Sequence, residues 1–419
     1  MKEIQGGITA PQGFKAAGVH CGIKKNEPDL ALIYSEIPAI AWGMFTTNKV
    51  KAAPVQVSIG KIRSRRAQAI LANSGNANAC TGEKGIQDAQ KMARLAAREL
   101  GIKEEIVLVA STGHIGKPLP MFQIETGIKQ AKSLLSSEKG NEAAKAILTT
   151  DRSIKEIAVE TDIPRRGKGK VKIGGIAKGA GMISPNLATM LCFITTDACI
   201  TEDALEEAVR LAVNKSFNQI SIDGDMSTND TLYIMANGLA RNKRIKTWRK
   251  KKKLRVKDEN FDYFCQALDF VCISLAKLIV RDGEGATRFM EVKVEGASFS
   301  KDARRIARAV ANSTLLKTAM AATHSNWGRV MAGLGVGRVM AALGAAHTKI
   351  DPNKVDVYFD EILAVKGGVR VDSVEKKLRE ILKQDEVKIT IQLNQGDCQT
   401  TFWGCDLTEE YVKINKRYV

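Results

Sequence analysis

The sequence is poor in the residues that build most protein metal sites. Only four of its 419 residues are histidine, and its eight cysteines include no C-x-x-C pair. Structural zinc sites need closely spaced ligands of these two types, so we expect no metal. Cysteines scattered in apolar surroundings are usually reduced and buried, so we expect no disulfides. The cysteines are Cys21, Cys80, Cys192, Cys199, Cys265, Cys272, Cys398 and Cys405.

Long apolar runs and several well-known catalytic motifs are also missing. No run approaches the roughly 20 consecutive apolar residues of a membrane-spanning helix, and residues 1–14 lack a signal-peptide pattern. We therefore expect a cytoplasmic protein with no membrane partner. The sequence contains no G-x-S-x-G, H-E-x-x-H or G-x-x-x-x-G-K-[ST] motif. With 44% hydrophobic and 26% charged residues, it has the composition of a globular protein of two or three domains.

Positive charge is concentrated in one segment. The chain has 64 Lys and Arg residues against 46 Asp and Glu, a net charge of +18. Residues 241–257, RNKRIKTWRKKKKLRVK, contain eleven basic residues and no acidic one, so they carry most of this excess. A solvated surface insertion is the favoured interpretation, and a nucleic-acid-binding patch is the alternative. Nucleic acid is therefore not an expected partner.

Strand and helix patterns alternate along the chain, which predicts an α/β protein. Helices are predicted at Gln87–Leu100, with Gly101 as the C-terminal stop, at Glu202–Val209 and at Tyr263–Val280. Strands are predicted at Leu30–Tyr34, Ala39–Phe45, Val55–Ile59, Ile106–Ala110, Val171–Ile176, Leu191–Thr195, Met290–Val294, Val355–Phe359 and Val387–Ile391.

Two glycine-containing segments are candidates for chemistry. Ser111–Gly116 is predicted to be a loop after a strand, and its glycines would let backbone N–H groups point towards a ligand. Gly174–Phe193 passes from a glycine-dense turn with Lys178 to Ala188-Thr189, directly before an apolar strand. Cleavage of that bond would give Thr189 a free α-amine that could act as the base for its own hydroxyl. On spacing alone, a threonine that merely favours the strand is the simpler explanation.

Residues 174–193 resemble, almost residue by residue, the self-cleavage and nucleophile motif of the ornithine acetyltransferase (glutamate N-acetyltransferase) family of arginine biosynthesis. The resemblance spans the chain and includes Thr9–Gly18, Phe45–Asn48, Lys51–Val55, Asn73–Gly82, Asp223–Thr231, Asp282–Thr287, Asn326–Arg329 and Glu410–Asn415.

The resemblance implies a role for each matching residue. Thr189 would be the nucleophile that takes the acetyl group of N2-acetyl-L-ornithine and passes it to L-glutamate, after cleavage between Ala188 and Thr189. Thr112 and Gly113 match the oxyanion-hole pair. The residues that match substrate-contacting positions are Thr149 or Thr150, Lys178, Thr189, Glu284 and Asn415. Glutamate acetylation from acetyl-CoA is a further possibility, and no cofactor is implied.

The family also implies an architecture. We expect a self-processing α/β/β/α sandwich domain over residues 1–290 and a smaller α/β domain over 291–419, whose tail returns to the active site. Cleavage would give α and β chains of 188 and 231 residues, assembled as a heterotetramer of two of each. A hydrolase of the related self-processing aminopeptidase group is the alternative, because it would share Thr189 and the oxyanion segment.

Overall fold

The structure is a computed structural model that describes most of the chain. It covers residues 1–163, 169–184, 190–251, 254–322, 337–346 and 348–416, and the side chains of these ranges apart from 249–257. The described residues group by their contacts into two compact units. The first lies within Met1–Met182, Asn186–Asn218 and Asp225–Ile279, and the second within Ile183–Pro185, Gln219–Gly224 and Val280–Val419. The predicted domain scheme, with its internal cleavage and returning tail, stays a prediction.

The first unit contains a nine-stranded mixed sheet. Eight strands follow the order β1-β6-β7-β8-β9-β3-β4-β5, and β2 pairs with β3 beside them. The strands are β1 (Lys2–Ile4), β2 (Phe14–Val19), β3 (Leu30–Phe45), β4 (Arg66–Asn76), β5 (Val107–His114), β6 (Lys155–Asp162), β7 (Lys170–Lys178), β8 (Leu191–Thr196) and β9 (Thr231–Ala236).

Six helices and a separate β-hairpin accompany this sheet. The helices are α1 (Ala53–Ile62), α2 (Gly82–Leu100), α3 (Met121–Ser133), α4 (Gly140–Ala146), α5 (Glu202–Lys215) and α6 (Glu259–Arg281), and the hairpin consists of β10 (Trp248–Lys251) and β11 (Leu254–Lys257). Helix α2 ends as predicted, because Gly101 adopts the left-handed conformation that glycine allows at a helix end. The basic segment therefore includes an antiparallel hairpin.

One hydrophobic core contains side chains from strands β3 and β4 and from strands β8 and β9. It contains Ile33 of β3 and Ile70 of β4 together with Phe193 of β8 and Tyr233 of β9. The rings of Phe193 and Tyr233 stack with their centroids 5.9 Å apart, and the Tyr233 hydroxyl donates to the Val109 carbonyl at 2.9 Å. The opposite side of β2 to β5 packs in a second core against α2 and α3.

The predicted strand at Val55–Ile59 is wrong, because these residues form part of helix α1. The alternation of apolar and polar residues suggested a strand, but Pro54 stands in the first turn of the helix, where its missing N–H has no cost. The Ser58 hydroxyl then donates to the Val109 carbonyl at 2.9 Å, which ties α1 to β5. Tertiary packing therefore outweighed the local alternation of apolar and polar residues.

The predicted loop at Ser111–Gly116 is also partly wrong, because β5 continues to His114. Parallel pairing with β4 extends the strand, with Thr112 opposite Ser74 and Gly113 opposite Gly75. The ladder is irregular just beyond this point, which is where the strand pairing ends.

The second unit is built around a six-stranded sheet with the order β15-β14-β13-β16-β12-β17. Its strands are β12 (Phe289–Ala297), β13 (Asp356–Phe359), β14 (Ile362–Lys366), β15 (Val369–Arg370), β16 (Glu386–Gln392) and β17 (Cys398–Cys405). Its helices are α7 (Ser300–Ala311), α8 (Thr314–Ala321), α9 (337–344), α10 (Glu375–Leu382) and α11 (Glu409–Lys416). The mixed α/β class predicted from the sequence is confirmed.

One helix in the described part of the chain, α6, is long and apolar enough to span a membrane by length and composition alone. Of its most apolar window, 56% is buried within the protein. Phe264, Leu268, Val271 and Leu275 are wholly buried and follow the spacing of one helix face. A core helix explains this composition without a membrane.

Candidate active site

The polar ends of β4 and β5 form one wall of the candidate site. Gly113 has φ +131°, and a Cβ atom there would lie only 2.3 Å from the Gly75 carbonyl carbon and 2.5 Å from the Asn76 nitrogen. Backbone cannot move out of the way as a flexible side chain can, so the close pairing requires glycine. The structure thus keeps Thr112 and Gly113 in a fixed backbone conformation at the end of a buried strand.

Asparagine and serine side chains hold these strand ends together. The Ser111 hydroxyl donates to the Asn73 side-chain oxygen at 2.6 Å, and the Asn73 side-chain nitrogen donates to the Asn76 carbonyl at 2.9 Å. The Asn229 side-chain nitrogen donates to the carbonyls of Ala77 and Ser111, at 2.6 and 2.8 Å. The three side chains that form these hydrogen bonds are buried, so the hydrogen bonds are shielded from competing water.

Lys178, at the end of β7, lies beside this wall. Its side chain is only 4% exposed, and its Nζ atom lies 3.4 Å from the Thr112 hydroxyl and 3.9 Å from the Asp151 carboxylate. A lysine so deeply buried needs a nearby anion, and Asp151 provides it. The structure therefore brings together Lys178 and Thr112, two residues that the sequence analysis predicted separately.

Asp151 is the centre of a buried charge cluster. Its carboxylate accepts hydrogen bonds from Lys155 Nζ at 2.7 Å, from the Gly179 N–H at 2.7 Å and from the Thr149 N–H at 3.0 Å. Burial by itself would raise the pKa of Asp151, but the ammonium groups of Lys178 and Lys155 outweigh burial and hold this pKa well below its usual range. Asp151 is therefore an anion that fixes Lys178.

Thr149 and Thr150 are both partly buried beside this cluster. The Thr149 N–H binds Asp151, which places the Thr149-Thr150-Asp151 motif next to Lys178. The threonine predicted to contact a substrate is one of these two.

The segment that follows the predicted nucleophile in the sequence is held beside Lys178 by strand pairing. Strand β8 pairs with β7, so that Leu191 lies opposite Lys178, and with β9, so that Leu191 lies opposite Thr231. The Met190 N–H donates to the Asp230 carboxyl at 3.1 Å. Ala188 and Thr189 lie outside the described residues, as do Asn326–Arg329 of the resembling motifs. The predicted cleavage point and nucleophile stay predictions.

Two other predicted residues meet in the second unit. The Asn415 side-chain nitrogen, on α11, donates to the Glu284 carboxylate at 2.8 Å. The turn before β12 makes this approach possible, because Gly285 has φ +70° and a Cβ there would lie 2.5 Å from the Tyr411 nitrogen. The Thr408 hydroxyl donates to the Gly285 carbonyl at 2.7 Å and fixes the start of α11 against the turn.

Four residues of the site were not predicted individually from the sequence: Asp151, Lys155, Asn229 and Asp230. The side chains of Lys155 and Asp151 are charged but wholly buried, and no local signal marked them, because the adjoining strand β6 (KEIAVETD) is itself rich in charge. Asp230 directly precedes β9, an uncharged strand whose six residues are all buried, and this could have indicated a buried carboxyl group. That signal does not say what Asp230 contacts, because its partner Met190 lies 40 positions away.

No group of three or more His, Cys, Asp or Glu residues that could hold a metal ion was found in the part of the chain that the structure describes. The side chains and backbone groups of the site are backbone N–H groups, hydroxyls, one buried carboxylate with two lysines, and a second buried carboxyl group.

Comparison with known proteins gives one consistent family. The ArgJ family profile matches residues 15–419. The arginine biosynthesis bifunctional protein ArgJ of Symbiobacterium thermophilum is 48% identical over 421 residues, covering 100% of both chains. The protein of the same name from Caldanaerobacter subterraneus is 46% identical, again over 100% of both.

Solved structures give further similar proteins. The arginine biosynthesis bifunctional protein ArgJ of Bacillus halodurans is 41% identical, covers 44% of this chain and 96% of its own, and has a TM-score of 0.41. The ornithine acetyltransferase of Mycobacterium tuberculosis, solved as a complex with ornithine, is 39% identical, covers 45% of this chain and 99% of its own, and has a TM-score of 0.41.

Proposed function

Because this chain belongs to the ArgJ family of arginine biosynthesis, we propose that it transfers the acetyl group of N2-acetyl-L-ornithine to L-glutamate, giving L-ornithine and N-acetyl-L-glutamate. The chain is thus an acyltransferase, and acetyl-CoA is a second candidate donor. The observation that carries this proposal is that Lys178 lies beside Thr112, next to Gly113, and pairs on the neighbouring strand with Leu191, the residue after Met190. The Met190 nitrogen is bonded directly to the carbonyl carbon of Thr189.

Two acyl-transfer steps account for the reaction. The Thr189 hydroxyl attacks the acetyl carbonyl of acetylornithine, the amide C–N bond breaks, and the ornithine amine leaves with the proton of the hydroxyl. The glutamate amine then attacks the acetyl-threonine ester, the C–O bond breaks, and the proton lost by the amine restores the Thr189 hydroxyl. The α-amine of Thr189 carries the proton in each step. Thr112 and Gly113 stabilise the negative oxygen that develops on the acetyl carbonyl.

Cleavage between Ala188 and Thr189 would create that α-amine. It would divide the protein into chains of 188 and 231 residues, and we propose that two of each form a heterotetramer. Thr189 precedes β8 by two residues in the sequence, and β8 is a central strand between β7 and β9, so neither chain would hold a complete sheet.

Substrate recognition requires one buried cation and one anion, because acetylornithine carries a carboxylate and a side-chain ammonium. We propose that Lys178 binds the carboxylate and that Glu284 binds the ammonium. Asp151 supports the first role because its carboxylate lies 3.9 Å from the Lys178 Nζ atom and orients that side chain. The hydrogen bond from Asn415 supports the second by fixing one Glu284 oxygen. A threonine of the pair Thr149 and Thr150 would complete the contacts.

The sandwich architecture and the cellular location are parts of the same proposal. A single core that joins Ile33 and Ile70 to Phe193 and Tyr233 supports a sheet folded over on itself, with α2 and α3 covering one outer side. A cytoplasmic location is proposed from the biosynthetic activity. The basic hairpin is proposed as a solvated insertion, with no nucleic-acid partner.

Mass spectrometry of the enzyme mixed with acetylornithine alone tests the mechanism. An acetyl group on the peptide that begins at Thr189 is expected, and it should disappear when glutamate is added. On denaturing gels the 45.6 kDa protein should give two bands, about 20 and 25 kDa in proportion to 188 and 231 of 419 residues, and Thr189→Ala should give one. Release of acetate without N-acetylglutamate would instead favour the aminopeptidase-like hydrolase.

A further inference from the structure

Lys24 is a buried lysine that the proposed function does not yet use. It lies in the segment that joins β2 to β3, and its side chain is only 14% exposed. The buried Asp29 carboxylate accepts the backbone N–H groups of Cys21, Gly22, Ile23 and Lys24, at 2.7, 3.1, 2.7 and 2.9 Å. These hydrogen bonds fix the backbone from which the Lys24 side chain extends.

One peptide group separates Lys24 from the Asp151 cluster. The Lys24 Nζ atom donates to the Leu148 carbonyl at 3.0 Å. The N–H of the same peptide group belongs to Thr149 and donates to the Asp151 Oδ2 atom at 3.0 Å. This Oδ2 atom also lies 3.9 Å from the Lys178 Nζ atom. Lys24 and Lys178 are therefore linked through one peptide group and one carboxylate oxygen.

The stem of Lys24 also packs against the wall formed by the ends of β4 and β5. Gly75 has φ +94°, and a Cβ atom there would lie 2.9 Å from the Lys24 Cγ atom. Gly75 pairs with Gly113 in the parallel ladder, and the Lys178 Nζ atom lies 3.4 Å from the hydroxyl of the preceding residue, Thr112. The two lysines thus approach the same pair of strand ends.

The surroundings of Lys24 favour binding of an anion. Burial lowers the pKa of Lys24, and the carboxylates of Glu27, Asp29 and Asp151 only partly oppose this. The Glu27 carboxylate lies 3.6 Å from the Lys24 Nζ atom, but its side chain is 70% exposed. A desolvated ammonium interacts more strongly with a nearby anion than an exposed one does, so a buried carboxylate ligand would stabilise it.

The proposed reaction needs such a cation, because its two amino-acid substrates carry opposite side-chain charges. Glu284, which suits the ammonium of acetylornithine, would repel the side-chain carboxylate of glutamate. On the basis of the function proposed above, we infer that Lys24 binds the side-chain carboxylate of the acceptor glutamate, while Lys178 binds the α-carboxylate that both substrates share. The competing explanation is structural, in which Lys24 only ties its segment to the Leu148 carbonyl.

Lys24→Gln separates the two explanations, because glutamine keeps an N–H donor for the Leu148 carbonyl but carries no charge. In a reaction with two separate half-reactions, kcat/KM for each substrate reports its own step. We expect kcat/KM for glutamate to fall roughly 10–100-fold, as the loss of a hydrogen bond to a charged group does. The kcat/KM for acetylornithine, and acetylation of the enzyme by acetylornithine alone, should stay near wild type.

Lys61→Gln is the matched control. Lys61 is 13% exposed, its Nζ atom donates to the Glu104 carbonyl at 2.6 Å and lies 3.5 Å from the Glu104 carboxylate, and burial lowers its pKa as well. It contacts the turn that precedes β5, so it lies at the opposite end of this strand from Gly113. Both kcat/KM values should stay near wild type in this variant.

Thermal unfolding of both variants shows whether Lys24→Gln folds. If it does not, Lys24→Met takes its place, because methionine fills a similar space without a polar atom that needs a partner, and the same loss confined to glutamate is required. An unchanged kcat/KM for glutamate, or an equal fall for both substrates, would overturn the inference. Failure of the proposed function is recognised separately, because wild type and Lys61→Gln would then form no N-acetylglutamate.

Discussion

Removing the Asp151 carboxylate should destabilise the first unit more than any surface charge change. In Asp151→Asn, Lys155 loses a partner at 2.7 Å and Lys178 loses its nearby anion, although both lysines stay buried. Breaking a buried ion pair in this way costs about 3–5 kcal/mol. At about 2–4 °C per kcal/mol for a large domain, the unfolding midpoint should fall by roughly 6–20 °C.

Thermal unfolding followed by circular dichroism measures this effect, and Lys170→Met is the matched control. Lys170 forms an ion pair with Glu160 at a similar distance, 2.6 Å, but its side chain is 61% exposed. An exposed pair contributes only about 0–1 kcal/mol, so the control should shift the midpoint little. A loss in Asp151→Asn no larger than in Lys170→Met would refute the buried-cluster argument.

The pH dependence of the same variant gives an independent test. The pKa of Asp151 is lowered in the folded protein, so its contribution is complete above the unfolded value of about 3.9 and is lost as the pH falls below it. The stability difference between wild type and Asp151→Asn should therefore be constant near neutral pH and shrink in acid. A difference that grew as the pH fell would contradict the sign of this shift.

Three further predictions concern the site and the basic segment. Gly113→Ala should lower the acetyl-transfer rate about 10²–10³-fold, because the added Cβ would collide with the Gly75 backbone and move the oxyanion-hole N–H. An unchanged rate would contradict the oxyanion-hole role of Gly113. Asn415→Ala should raise the KM for acetylornithine, because Glu284 loses the group that orients it, whereas a KM equal to that of wild type would count against substrate contact. Replacing the lysines of 250–253 with serine should reduce retention on heparin without changing turnover, and lost turnover would show that the hairpin has a role in the reaction.

Local sequence patterns were reliable where one physical signal dominated. The helix at Gln87–Leu100 repeats apolar residues on one face and stops at a left-handed Gly101, and both features act within a few residues. Val55–Ile59 carried two conflicting signals, the alternation of a strand and the Pro54 of a helix start. Packing of Ser58 against β5 favoured the helix, and that contact joins residues 51 positions apart.

The sequence by itself determined the α/β class, the chemical types of the site residues and, through its resemblance, the family. Only the tertiary structure decided which of these residues meet. Lys178 reaches Thr112 across 66 positions and Asn415 reaches Glu284 across 131, while Asp230 binds the Met190 amide from 40 positions away. The spacing of apolar residues along a helix or strand indicates which face is buried. It contains no information about which other element covers that face. That partner is set by sheet order, in which β8 lies between β7 and β9.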